Sequence, residues 1–184
     1  ATPGSSTLTF KVSDGISFGS GTTQFSLTFG PNWSTPTESK LTASDAQATD
    51  QFGNTVAISS DGNYAIVGAK GEDTGALSSG AAYIYVRSGS TWTQQAKIQA
   101  SNKGESDEFG YSVSINSDGT YAIIGATGED GSTNTISAAG AAYIFTRSGS
   151  TWTEQAILRA SNAGASDQFG TSVSINSDAT YAVV

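Results

Sequence analysis

The sequence predicts an all-β fold of tandem, four-stranded antiparallel blades, and three observations predict it. The first is an internal copy: FGNTVAISSDGNYAIVGAKGED, from Phe52, returns at Phe109 as FGYSVSINSDGTYAIIGATGED and at Phe169 as FGTSVSINSDATYAVV. The second is composition, with 22 glycines among 184 residues, abundant Ser and Thr, and only 13% charged residues. That mixture suits short strands and tight turns and disfavours helices. The third is alternation, since short apolar runs are bounded by Asp-Gly and Ser-Gly turn signals.

Taken in order, residues 1–24 read as a β-rich leader or a degenerate blade. Leu8, Phe10 and Val12 alternate with polar residues before the Ser13-Asp14-Gly15 turn. Residues 25–51 read as a half-blade supplying the last two strands of a unit, because FSLTFGPNW (25–33) resembles YIYVRSGSTW (83–92). Residues 52–108 and 109–168 are two full blades, 57 and 60 residues long from Phe to Phe. The three extra residues fall between Asp130 and Ala141, a loop-confined insertion expected of a rigid module. Residues 169–184 are a second half-blade, supplying first strands only.

Within a unit, the first strand is predicted at Val113–Ile115. Asp118-Gly119 then turns the chain, since such a pair accepts the positive φ of a tight hairpin. The second strand, Tyr121–Ala126, is a nearly continuous apolar run of the kind buried on both faces. The third is Ala142–Arg147, and Ser148-Gly149-Ser150 turns it into the fourth, Trp152–Ala160. In the third copy Ala179 replaces the turn glycine, which predicts a different turn there. Four antiparallel strands in tandem units describe β-propeller-type blades, here an incomplete ring, because rings need at least four blades.

The signature residues are Phe52, Gly53, Gly68, Trp92, Phe109, Gly110, Gly125, Trp152, Phe169 and Gly170. A Phe-Gly opening followed about 15 residues on by Ala-Ile-Val-Gly-Ala or Ala-Ile-Ile-Gly-Ala resembles the FG-GAP repeats of integrin-α-like propellers. Lys70 and Thr127 stand where that signature has proline. The resemblance implies an extracellular module for adhesion or recognition, of the kind found in receptors and in microbial and viral surface proteins.

Composition excludes several chemistries. There is no Cys, His or Met, which rules out thiolate nucleophiles, Ser-His-Asp triads and ordinary zinc or iron sites. A net charge of -8 argues against nucleic acid, which needs a basic surface. No apolar run approaches a bilayer span, so membrane insertion is not expected. The Ala-Thr-Pro-Gly start fits a processed N-terminus or a trimmed piece.

Calcium is the cofactor to weigh, because many relatives implied by the resemblance bind it between the first two strands. Laid on that ligand pattern, Asp61 and Asp118 take the fifth place. The first, third and ninth places hold Ala57, Ser59 and Ala65, or Ser114, Asn116 and Ala122. One carboxylate per loop does not replace the hydration shell of Ca²⁺, so these loops read as plain hairpins and no cofactor is assigned. Glu72-Asp73 and Glu129-Asp130 form a second recurring acidic pair. A cation or ligand site is the functional reading; solvated carboxylates, or caps on turn N–H groups, is the preferred one. Asp50, Asp107 and Asp167 are read as fixing the turn before each Phe-Gly. Tyr83, Tyr85, Tyr143, Trp92 and Trp152 could stack on sugars, but their repetition favours packing between blades. Asn32-Trp33-Ser34 fits a glycosylation sequon.

No catalytic residues are assigned, because paired carboxylates recurring in every unit do not make a unique constellation. The sequence thus predicts a non-enzymatic, extracellular, cell-surface or virion β-propeller for adhesion or structural assembly. Its expected partners are other protein chains, through self-assembly or a larger parent assembly, and surface glycans. One alternative is a subunit of a filament, tail fibre or capsid decoration completed by strand addition between chains. The other is a propeller-fold polysaccharide hydrolase or lyase. The complementary half-units at the two ends motivate that strand-addition alternative, while the absence of the expected Gly-Ala and acidic loop after Val184 favours a fragment of a longer propeller.

Overall fold

The repeats build ten strands and no helix in a computed structural model that describes residues 39–131, 133 and 135–184. The readings of residues 1–24 and 25–38, with Trp33 and the Asn32 sequon, lie outside the described residues. Strands β1 (Val56–Ile58), β2 (Tyr64–Ala69), β3 (Ala81–Ser88) and β4 (Thr91–Ile98) form one antiparallel sheet in chain order. Strands β5 (Phe109–Ile115), β6 (Tyr121–Ala126), β7 (Ala141–Ser148) and β8 (Thr151–Leu158) form a second. The short β9 (Ser174–Ile175) and β10 (Ala182–Val183) pair as the start of a third. These are incomplete propeller blades, not closed into a ring.

The apolar run of β2 and β6 behaves as its sequence dictates: from the second residue on, both are buried on both faces. Two boundaries differ from the expectation by more than one residue, and each of those strands carries a bulge. The first strand of the second blade starts at Phe109 rather than Val113, since the register jumps from Phe109↔Ala126 to Ser112↔Gly125 across Gly110 and Tyr111. The fourth strand ends at Leu158 rather than Ala160, and Gln155 is left unpaired between Glu154 and Ala156. Gln95 occupies the same bulge in the first blade. Its side chain accepts a hydrogen bond from Trp152 Nε1 at 3.1 Å, so the irregularity latches one blade to the next.

The hairpin of the third copy is also corrected. Ala179 adopts φ 57°, close to the 68° and 66° of Gly62 and Gly119. The same two backbone bonds close it, from Asn176 N to Tyr181 O and from Ala179 N to Asn176 O. Hydrogen bonds from the flanking backbone and the Asn176 and Asp178 side chains hold the alanine in a left-handed conformation.

The repeat signature has a packing cause. Phe109 is fully buried, edge-on to Tyr143 at 5.2 Å and to Phe145 at 6.0 Å between ring centroids. Phe52 meets Tyr83 and Tyr85 in the same way. A Cβ on Gly68 would land on the Gly110 carbonyl oxygen, and one on Gly125 would land on that of Gly170. The Gly of one unit therefore receives the Phe-Gly corner of the next. Ile66, Ala82 and Ile84 from the first sheet and Val113, Ile115 and Ile124 from the second close into one core at this joint.

Candidate functional site

The recurring acidic pair follows the second strand of each blade, where the chain leaves the sheet for the variable loop. Glu72 and Glu129 are both about 1% exposed, so of the two structural readings, solvated carboxylates or caps on turn N–H groups, the first does not hold, while each does accept from a turn N–H. A buried carboxylate must be paired or fully hydrogen-bonded, and each is both. Glu72 accepts from Lys97 Nζ at 2.7 Å, Gln99 Nε2 at 2.8 Å and Thr74 N at 2.9 Å, and also from the Thr74 hydroxyl. Glu129 accepts from Arg159 Nη2 at 2.5 Å and Nε at 3.2 Å, from Asn102 Nδ2 at 3.0 Å and from Gly131 N at 2.9 Å.

Lys97 binds more than one oxygen. Its ammonium also donates to Asp45 Oδ2 at 2.7 Å and Thr74 Oγ1 at 3.1 Å, and sits 5.7 Å from the centre of the Tyr83 ring. The ammonium thus occupies the place among these oxygens that a free cation would take. Burial pulls its titration down, but the bonds to Asp45 and Glu72 outweigh that and raise it above the ordinary lysine range. The same contact with Lys97 holds the Asp45 carboxyl below the usual range. Tyr83 donates to Asp45 Oδ1 at 2.9 Å, and burial, reinforced by that carboxylate, keeps its hydroxyl protonated. Burial likewise lifts Tyr85 to about 12. In the second blade Tyr143 donates instead to the neutral Asn102, at 2.9 Å. The bonds from Arg159 to Glu129 raise the guanidinium further still.

The remaining candidates are distributed around these clusters. Asp73 Oδ1 accepts from Ser78 N at 2.7 Å, and Asp130 Oδ1 from Ala138 N at 2.9 Å, so each pins the far end of its loop. Asp61 and Asp118 lie apart, on the exposed hairpins. Asp61 accepts from Ser59 Oγ and Asn63 N, and Asp118 from Thr120 Oγ1 and N. These local bonds hold both carboxyls below their usual range. Asp50, Asp107 and Asp167 accept from the backbone N–H three residues earlier, at Gln47, Gly104 and Gly164. Burial pushes Asp107 up. Among the described residues no three of these acids converge as a metal-ligand group. Tyr83, Tyr85 and Tyr143 are buried under the blades, while Trp92 and Trp152 are half-buried.

Sequence reasoning missed the cations. Lys97 comes from the outer strand β4 and Arg159 from just past β8, 25 and 30 residues after the acids they pair with, at positions that are not equivalent in the repeat. The signal available was that Gln99 aligns with Arg159 and Lys97 with Ile157, so each unit carries one basic residue in that stretch, displaced by two. In the first blade Lys97 and Gln99, two residues apart, both reach Glu72, so either position serves the equivalent carboxylate.

The FG-GAP repeat description matches residues 35–85, 92–145 and 152–184. The chain belongs to the FG-GAP repeat family. No match among curated proteins accompanies it. FG-GAP repeats point to a β-propeller-type module, a class that is commonly non-enzymatic and typically extracellular or at a surface. Each of the two later FG-GAP matches begins on the tryptophan of one blade's outer strand; the first of them ends within β7, and the other takes in β9 and β10. Among the described residues no helix is long and apolar enough to cross a membrane.

Proposed function

We propose that this FG-GAP chain is a non-enzymatic recognition and assembly module of an extracellular, cell-surface or virion protein. Other protein chains are its first class of partner and surface glycans its second, met through loops and sheet faces rather than a reaction centre. The observation that carries this reading is the state of the buried acids. Glu72 and Glu129, both about 1% exposed, are occupied by the chain's own Lys97 and Arg159 and by turn N–H groups. A general acid or base must be free to exchange a proton with substrate, and these two are committed to the fold. Their duplication in successive blades supports a structural role in the same way.

The test is binding by the folded chain to protein and glycan arrays, with light scattering across a concentration series. Saturable binding or self-association is the expected result. A chain that binds nothing and stays monomeric throughout overturns the reading. So does turnover of a polysaccharide panel that is abolished by Glu72→Gln or Glu129→Gln in protein that remains folded.

A further inference from the structure

Two lysines form ion pairs with carboxylates among the described residues, and their surroundings differ. Lys70 Nζ pairs with one carboxylate, that of the partly exposed Glu108, at 3.3 Å. Lys97 Nζ donates to two, Asp45 Oδ2 and Glu72 Oε1, each at 2.7 Å. Glu72 is buried, and Gln99 Nε2 holds its Oε2 at 2.8 Å while Oε1 stays on the lysine nitrogen. The other oxygen of Asp45, Oδ1, accepts from the hydroxyl of the fully buried Tyr83 at 2.9 Å. An amine, a carboxyl group, a buried proton carrier and a hydrogen-bond donor to the carboxyl oxygen thus meet at one place.

We propose that Lys97 and Asp45 condense into an intramolecular amide, a covalent staple between the segment ahead of the first blade and β4. The ammonium first returns one proton to Asp45 Oδ2, and the neutral amine then attacks Cγ. Tyr83, donating to Oδ1, stabilises the oxygen on which charge develops. Glu72 Oε1 takes a second proton from the nitrogen and delivers it to Oδ2, which leaves as water. A C–N bond forms and a C–O bond breaks; one ammonium and one carboxylate are consumed, and no oxidant or co-reactant enters. Glu72 exchanges protons with Lys97 itself, so no external substrate is involved and the non-enzymatic reading stands apart from this step. Once the ammonium is gone, Glu72 takes up a proton from solvent rather than remain a buried, unpaired charge. Groups held in contact react with effective molarities of roughly 10⁵–10⁸ M, which favours a condensation that separate molecules in water do not make. The ion pair disfavours the neutral amine, so the step is slow: freshly folded protein holds the contact as ions and ageing converts it. The second blade lacks the parts, with Ile157 in the place of Lys97 and Asn102 in that of Asp45. Its Arg159 is a delocalised guanidinium that stays charged. The staple joins residues 52 apart in a chain that has no cysteine, and restrains the unfolded chain as a disulfide does.

The test is intact mass and peptide mapping of the 184-residue chain, freshly refolded and after ageing at neutral pH. The expected result is full mass when fresh, then a species lighter by one water, with a branched peptide joining Asp45 to Lys97. Asp45→Ala should keep full mass throughout. Glu72→Gln should slow the conversion about a hundredfold, in protein that stays folded by tryptophan fluorescence. Tyr83→Phe, which keeps the ring and removes only the donor, should slow it by a similar factor. Full mass retained by the aged wild-type chain overturns the inference. So does a water loss that maps to Asp61, Asp118 or Asp130, each followed by glycine, because those pairs cyclise on their own backbone. A conversion rate untouched by both Glu72→Gln and Tyr83→Phe overturns it as well. Each of these outcomes leaves the array and light-scattering results, and the recognition reading they test, where they stand.

Discussion

The cluster around Glu72 and the cluster around Glu129 hold the same buried acid in two different ways. In the first, a lysine within the outer strand is shared between Glu72 and Asp45, and Gln99 fills the second carboxylate oxygen. In the second, an arginine just past the strand spans both oxygens of Glu129, and neutral Asn102 replaces Asp45. The repeat thus preserves a neutralised, hydrogen-bonded carboxylate rather than any one partner residue. Two acids sharing one ammonium make the first cluster more dependent on its cation than the second.

That difference can be broken from the cation side, where the largest effect is expected. Lys97→Met leaves Glu72 buried and strips Asp45 as well, whereas Arg159→Leu orphans Glu129 alone. Denaturant unfolding should show both destabilised by about 3–5 kcal/mol, with Lys97→Met the worse. Equal losses would mean that Asp45 takes no part in the first cluster.

Removing the orphaned charge sharpens the same point. Glu72→Gln combined with Lys97→Met should recover a substantial part of the loss from Lys97→Met, since no buried ion is then left unpaired. A double variant as unstable as the single one would assign the loss to packing of the lysine stem.

Acid should separate the clusters by a smaller margin. Asp45 titrates below its ordinary 3.8 because of Lys97. A depressed carboxyl contributes stability above its unfolded pKa and loses it as pH falls through the lower folded value. Asp45→Asn, which copies Asn102, should therefore flatten the loss of stability below about pH 3.8. Since Asp45 is 42% exposed, the cost at neutral pH should be under about 1 kcal/mol. An unchanged acid limb would count against the ion pair.

The third copy extends the comparison to the hairpins. Ala179 holds the left-handed conformation that Gly62 and Gly119 take without strain. Ala179→Gly should stabilise the terminal hairpin by about 1 kcal/mol or less, read by local hydrogen exchange at Tyr181 N. Faster exchange in the variant would show that the alanine carries no strain.

The parts of this molecule written in short-range pattern were legible in its sequence. The unbroken apolar run of Tyr121–Ala126 could satisfy only a strand buried on both faces, and Asp-Gly at 118–119 could only turn. The FG-GAP signature located the blades because Phe109 and Gly110 must meet Gly68. What stayed hidden depends on contacts between distant residues. The burial of Glu72 and Glu129 follows from cations that arrive many residues later at shifted positions. The extension of β5 and the Gln155 bulge follow from the neighbouring blade and strand, which no local window contains. Ala179 misled because the third hairpin is held by its neighbours rather than by its own preference.

The meeting of Gly68 with the Gly110 carbonyl has an evolutionary consequence. With only a hydrogen between one sheet and the next corner, the spacing of units is fixed by an atom that substitution can enlarge but never trim. The glycines of this joint are the same in both blades, while the cation, its acidic neighbour and the length of the variable loop differ. Evolvability and geometry are thereby uncoupled. A lineage can rewrite the loops of each unit freely while every unit keeps the same gauge, and a duplicated unit fits the stack on the day it arises.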